Sequence, residues 1–113
     1  MTTYLTNAFS INMLKDDANV SFSKLDISEV ATHIDSSTAN AIGHADTDTV
    51  VRKDLTQNCN VSPFELHLGQ RMTVSVERGD IMIVAQYRGP RLEEGATSLP
   101  AGATIEYWLV TID

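Results

Sequence analysis

At 113 residues the chain has room for one domain with a real core, spanning 1–113, and not for two. Its apolar share of 42% excludes wholesale disorder, and no apolar run approaches the roughly 18 residues a membrane helix needs. With 15 acidic against 8 basic residues the formal charge is −7, a poor balance for binding long DNA or RNA, which is held mainly through its phosphates.

In chain order, Thr2 to Leu5 reads as a strand and Phe9 to Lys15 as a short helix with Phe9, Ile11 and Leu14 on its apolar side. Asp16-Asp17 ends it. Val20 and Phe22 alternate with serines, the pattern of a half-buried strand. Asp26-Ile27-Ser28-Glu29 has the form of a capping box, which predicts a helix to about Ile34. Asp35 to Asn40 is small and polar, a loop. A second helix is expected from about Asp46 to Leu55, with Val50, Val51 and Leu55 facing inward and His44 just ahead of its N-terminus. Phe64 to Leu68 alternates again, as does Arg71 to Glu77. Arg78-Gly79-Asp80 reads as a tight turn and Ile81 to Tyr87 as a nearly continuous apolar strand, so Arg71 to Tyr87 is expected to be a hairpin. Arg88 to Ala103 is about 16 residues with three Gly and two Pro, long for a connector in a small domain. Thr104 to Ile112 is the final strand. The sum is an α/β or α+β domain, with a mixed sheet of about five strands and short flanking helices.

Cys59 is the lone cysteine, so no internal disulfide is available. Together with the lack of a signal-peptide pattern, it makes a cytoplasmic location the simplest expectation. No cysteine pair, histidine pair or carboxylate cluster has the spacing of a metal site, and no glycine-rich phosphate loop is present, so neither metal nor cofactor is expected.

Three segments carry chemistry. His44 lies between Gly43 and a helix start, and histidine is the side chain whose titration near neutrality suits acid–base work. Arg91 and Glu94 sit in the long loop, where an arginine can bind phosphate oxygens bidentately and stabilise developing negative charge. Glu94 would orient His44 or favour its charged form; Glu93 reads as solvated. Asn7, Ser10 and Asn12 cluster at the start of the first short helix, where they serve either as caps and turn formers or as contacts to an anion or a base edge. His33, within a helix, and His67, in a strand, read as structural or exposed. Asn60-Val61-Ser62 fits the glycosylation pattern only formally.

The segments Leu5-Thr6-Asn7-Ala8-Phe9-Ser10-Ile11-Asn12-Met13-Leu14, Asn40-Ala41-Ile42-Gly43-His44 and Arg91-Leu92-Glu93-Glu94-Gly95 resemble those of the viral type III anti-CRISPR ring nucleases, a family with host-borne members too. The resemblance implies a homodimer that binds cyclic tetra-adenylate. It implies metal-independent cleavage to linear di-adenylate ending in a 2′,3′-cyclic phosphate, which switches off type III CRISPR signalling. By matching motifs, His44 would protonate the departing 5′ oxygen, with Arg91 and Glu94 completing the catalytic set. Asn7, Ser10, Asn12, Thr47 and Gln86 would contact the ligand. Two departures stand out. The stretch between Gln86 and Arg91 is one residue longer than in viral members, and Ala45-Asp46-Thr47 replaces the common Asp-Ser-Thr, which puts a carboxylate near a phosphate site. The alternative reading is a module that binds a cyclic oligoadenylate without cutting it.

Overall fold

The strand Ile81–Arg88 organises the sheet because both of its edges are occupied. In the computed structural model, which describes residues 2–34, 38–59, 74–96 and 98–113, the strands are β1 (Thr3–Thr6), β2 (Val20–Leu25), β3 (Ala39–Asn40), β4 (Ile81–Arg88) and β5 (Thr104–Ile112). They form one five-stranded sheet in the order β2-β5-β4-β1-β3. β1 runs parallel to β3 and β4, while β5 is antiparallel to β4 and β2. With the two helices α1 (Ile27–Val30) and α2 (Ala45–Cys59), this is the single α+β domain with a mixed sheet that the sequence pattern predicts.

The chain covers both faces of the sheet. Leu5, Ile83, Ala85 and Tyr107 pack with Val30, Ile34, Val51 and Leu55 in one core cluster. In α2, Val50, Val51 and Leu55 are at most 1% exposed, as expected. Each such burial favours the folded state by about 1.5–3 kcal/mol before the entropy of ordering is counted. Tyr107 adds a hydrogen bond of 2.7 Å from its hydroxyl to Asp54 Oδ2 on α2. On the opposite face Met82, Val84, Val110 and Ile112 pack with Val74 and Val76, and with Phe9, Met13 and Leu14 at the margin.

Several expectations are corrected. The predicted hairpin from Arg71 to Tyr87 does not form in the described residues: β4 pairs with β1 and β5, and Val76 instead bridges to Leu14 in parallel. The tight turn is real. Asp80 N–H bonds to the Glu77 carbonyl, and Gly79 adopts a φ of +97°, where glycine is favoured. The first helix shrinks to a 3-10 turn, Ile11–Met13, which leaves Ile11 77% exposed although its periodicity placed it inside. After its capping box, in which Glu29 Oε1 accepts the Asp26 N–H at 3.2 Å, α1 ends at Val30, so His33 lies in the following turn. Ala39–Asn40, read as loop, is an edge strand on β1. The expected strand at Phe64 to Leu68, His67, the Asn60 pattern and the start of the segment from Arg71 fall outside the described residues. Among the described residues no helix is long and apolar enough to cross a membrane.

Candidate functional site

β1 ends at Thr6, and the next residue, Asn7, ties two regions together. Its Oδ1 accepts the Gly43 N–H at 3.3 Å, fastening the turn that carries His44 to the exit of β1. Asn40 holds the same turn from within. Its Oδ1 accepts the Ile42 N–H at 3.0 Å and its Nδ2 donates to Asp48 Oδ1 at 2.7 Å, while Ala41 N–H reaches the Leu5 carbonyl. Asp48 in turn faces Arg52 at 3.4 Å. The first helical bond of α2 runs from Asp48 N–H to the His44 carbonyl at 2.9 Å, so His44 occupies the N-cap position. Asp46 and Asp48 in the first turn complement the positive end of the helix dipole.

The loop after β4 folds back on this helix end. Asp46 Oδ1 accepts the Gly95 N–H at 3.1 Å, which gives the unexpected carboxylate a structural role. The Tyr87 hydroxyl donates to the Pro90 carbonyl, and the chain at Gly89, with φ +154°, passes so close to Ala103, just ahead of β5, that a Cβ there would lie 2.7 Å from that of Ala103. As a result His44, Thr47, Tyr87, Gly89, Arg91 and Leu92 line one open cavity of 390 Å³. His44 and Arg91 are exposed and Thr47 is half-buried, three residues after His44 on the same side of α2. Glu94 does not line that cavity. It lines the neighbouring one, of 490 Å³, with Arg91, Glu93 and Ser98. Arg91 is the residue common to both.

Gln86 and Asn7 meet elsewhere. Together with Phe9, Phe22, Val84, Arg88, Trp108 and Val110 they line a cavity of 540 Å³ on the sheet face opposite α2. Here Arg88 Nε pairs with Glu106 Oε2 at 3.1 Å and its guanidinium donates to Gln86 Oε1 at 3.2 Å; Lys24 Nζ lies 3.5 Å from Glu106 Oε1. The Arg88 hydrogen bond, helped by the positive charge of Arg88 and Lys24, holds the Glu106 carboxyl below its usual range. Ser10 caps the 3-10 turn, its Oγ accepting the Asn12 N–H at 3.4 Å, and both residues are exposed. Arg88, Trp108 and Phe22 were not singled out in the sequence. The available signal was the alternation of β4, which puts Val84, Gln86 and Arg88 on one face. Among the described residues, no group of three or more His, Cys, Asp or Glu could hold a metal ion.

A small α+β domain whose long β4–β5 loop closes over a helix N-terminus is the class that this fold and site define. Residues 3–103 match the STIV B116-like family, and the chain belongs to it. Among solved structures it is similar to B116 of Sulfolobus turreted icosahedral virus, a viral protein, with a TM-score of 0.68 at 26% identity over 98% of this chain and 99% of that one. No curated protein matches the sequence.

Proposed function

We propose that the chain is a metal-independent ring nuclease that acts as a homodimer on cyclic tetra-adenylate and so switches off type III CRISPR signalling. The observation that carries this reading is the convergence of His44, Thr47 and Arg91, from segments far apart in sequence, on one open cavity. Membership in a family that includes a viral protein fits an anti-defence role.

The reaction needs little from the protein. A ribose 2′-oxygen attacks the adjacent phosphorus in line, a 2′,3′-cyclic phosphate forms and the bond from phosphorus to the 5′ oxygen breaks. The 2′-hydroxyl proton passes to solvent, and the His44 imidazolium donates its proton to the departing 5′ oxygen. Arg91 offsets the charge that builds on the pentavalent phosphorus, and Thr47 contacts the phosphate. Asn7 and Gln86 hold the ligand, Ser10 and Asn12 border it, and Glu94 completes the loop that carries Arg91. Two copies related by a two-fold axis present the same cavity twice, which matches a two-fold cyclic ligand and two opposite cuts.

The test is incubation of the purified protein with cyclic tri-, tetra- and hexa-adenylate, with and without EDTA, followed by product masses, alongside light scattering. Linear di-adenylate 2′,3′-cyclic phosphate in EDTA, from a particle of twice the chain mass, is the expected result. Tight binding without products would make the chain a non-catalytic binding module.

A further inference from the structure

The 540 Å³ cavity on the sheet face carries two aromatic side chains, Trp108 and Phe22, that neither the sequence motifs nor the proposed cleavage step uses. Its size falls within the roughly 300–1,000 Å³ of small-ligand sites. Three aromatic side chains border it. Trp108, the one tryptophan of the chain, stands half-buried on β5 beside Val84 of β4. Phe22, paired with Val110 across β2 and β5, is 55% exposed. Phe9 meets Phe22 edge to face, with ring centroids 5.6 Å apart and an interplanar angle of 79°, which braces the exposed ring. A large aromatic left open on a sheet face costs solubility, and here it adjoins polar groups of a specific kind.

Those groups are two primary amides and one guanidinium. The Asn7 oxygen is taken by the Gly43 N–H and the Gln86 oxygen by Arg88, so what each amide has left to offer a ligand is its NH₂ group, a donor. Flat rings with two amide donors suit a heteroaromatic base whose ring nitrogens accept hydrogen bonds. Adenine presents acceptors at N1, N3 and N7 and a large face for stacking. Arg88, exposed and paired with Glu106, fixes the Gln86 amide at the cavity wall. Through its bond to Gly43, Asn7 couples the cavity to the turn that carries His44.

The geometry points to a nucleobase subsite: an adenine of the ligand stacks on Trp108 and Phe22, while Asn7 and Gln86 donate to its ring nitrogens. Phe22 and Trp108 thereby become specificity-determining residues of the ligand site. This inference rests on the oligoadenylate reading for the identity of the base, but it is tested separately.

Trp108 reports on its own environment. Its fluorescence is followed while linear di-adenylate, which requires no cleavage, or di-uridylate is added to the intact protein and to Phe22→Ala. Cleavage of cyclic tetra-adenylate, light scattering and urea unfolding are measured on the same preparations. Saturable quenching by di-adenylate is expected, with affinity about tenfold or more above that for di-uridylate. Removing one stacking ring, worth about 1–3 kcal/mol per base, should weaken di-adenylate binding about 5- to 150-fold. Phe22→Tyr should restore it. In Phe22→Ala the ring concentration for half-maximal cleavage should rise while the saturated rate holds. Normal ring cleavage without quenching, or with no effect of Phe22→Ala, overturns the subsite and leaves the nuclease standing. Quenching by di-adenylate with no ring cleaved supports the subsite and removes the nuclease. A Phe22→Ala protein of half the particle mass means that a second copy covers this face, and the subsite fails.

Discussion

Asp46 and Gly95 are joined by a hydrogen bond of 3.1 Å across 49 residues of chain, and that bond holds the β4–β5 loop against the first turn of α2. Asp46 lies one residue beyond Ala45, the first of the helix, so its position is rigid, whereas Gly95 sits in a loop with φ +79°. The carboxylate thus fastens the loop that brings Arg91 to the cavity it lines with His44.

Asp46→Ala should therefore speed amide exchange over residues 93–96 severalfold, in line with about 0.5–1 kcal/mol for an exposed charge-assisted bond. Asp46→Asn, which keeps the acceptor, should retain most of the protection. Mass-resolved hydrogen exchange on both variants checks this; equal exchange in wild type and Asp46→Ala would mean that the loop is held elsewhere.

Within the ring-nuclease reading, His44→Ala should lower the single-turnover rate about 10²- to 10⁴-fold, the usual worth of a positioned acid. Arg91→Ala should cost about 10²- to 10³-fold. Ligand binding should survive in His44→Ala, as read by calorimetry with intact cyclic tetra-adenylate. Unchanged cleavage in His44→Ala would assign the proton donor to another group.

Asn40 is buried, and its amide satisfies both the Ile42 N–H and Asp48. Truncation to Ala leaves a buried donor unpaired, so Asn40→Ala should destabilise the fold by about 1–3 kcal/mol in urea unfolding. Because the same bonds set the His44 turn, the ring-nuclease reading expects cleavage per folded molecule to drop as well. A variant as stable as wild type would show that the turn is fixed from the Asn7 side alone.

Arg88 and Glu106 predict a pH dependence with a definite sign. The folded protein keeps this carboxyl ionised to lower pH than an ordinary glutamate, chiefly through the Arg88 hydrogen bond. Its stabilising contribution is thus complete above the ordinary carboxylate range and fades as pH falls through the depressed value. In Arg88→Ala the Glu106 carboxyl should titrate nearer the usual value by carbon-detected NMR, and the stability gap to wild type should narrow on acidification. A Glu106 titration curve that Arg88→Ala leaves in place would break the assignment.

The local sequence was enough to locate α2 and its buried stripe of Val50, Val51 and Leu55, and the strands at Thr3, Val20, Ile81 and Thr104, because helix and strand periods are written in consecutive residues. It also placed His44 at a helix entrance and Arg91 in a long loop. Only the tertiary structure decided which edges pair. The alternation of Arg71 to Glu77 suits a hairpin partner of β4, yet both edges of β4 are filled by β1 and β5, from opposite ends of the chain. Periodicity tells which face a side chain takes but not which strand lies beside it, since pairing is settled by long-range burial. For the same reason Asn7 and Gln86, far apart in sequence, share one cavity with Trp108 and Phe22, while His44 and Arg91 share another. That division between a sheet-face pocket and a helix-end pocket exists only once the sheet order β2-β5-β4-β1-β3 has brought the exits of β1 and β4 together.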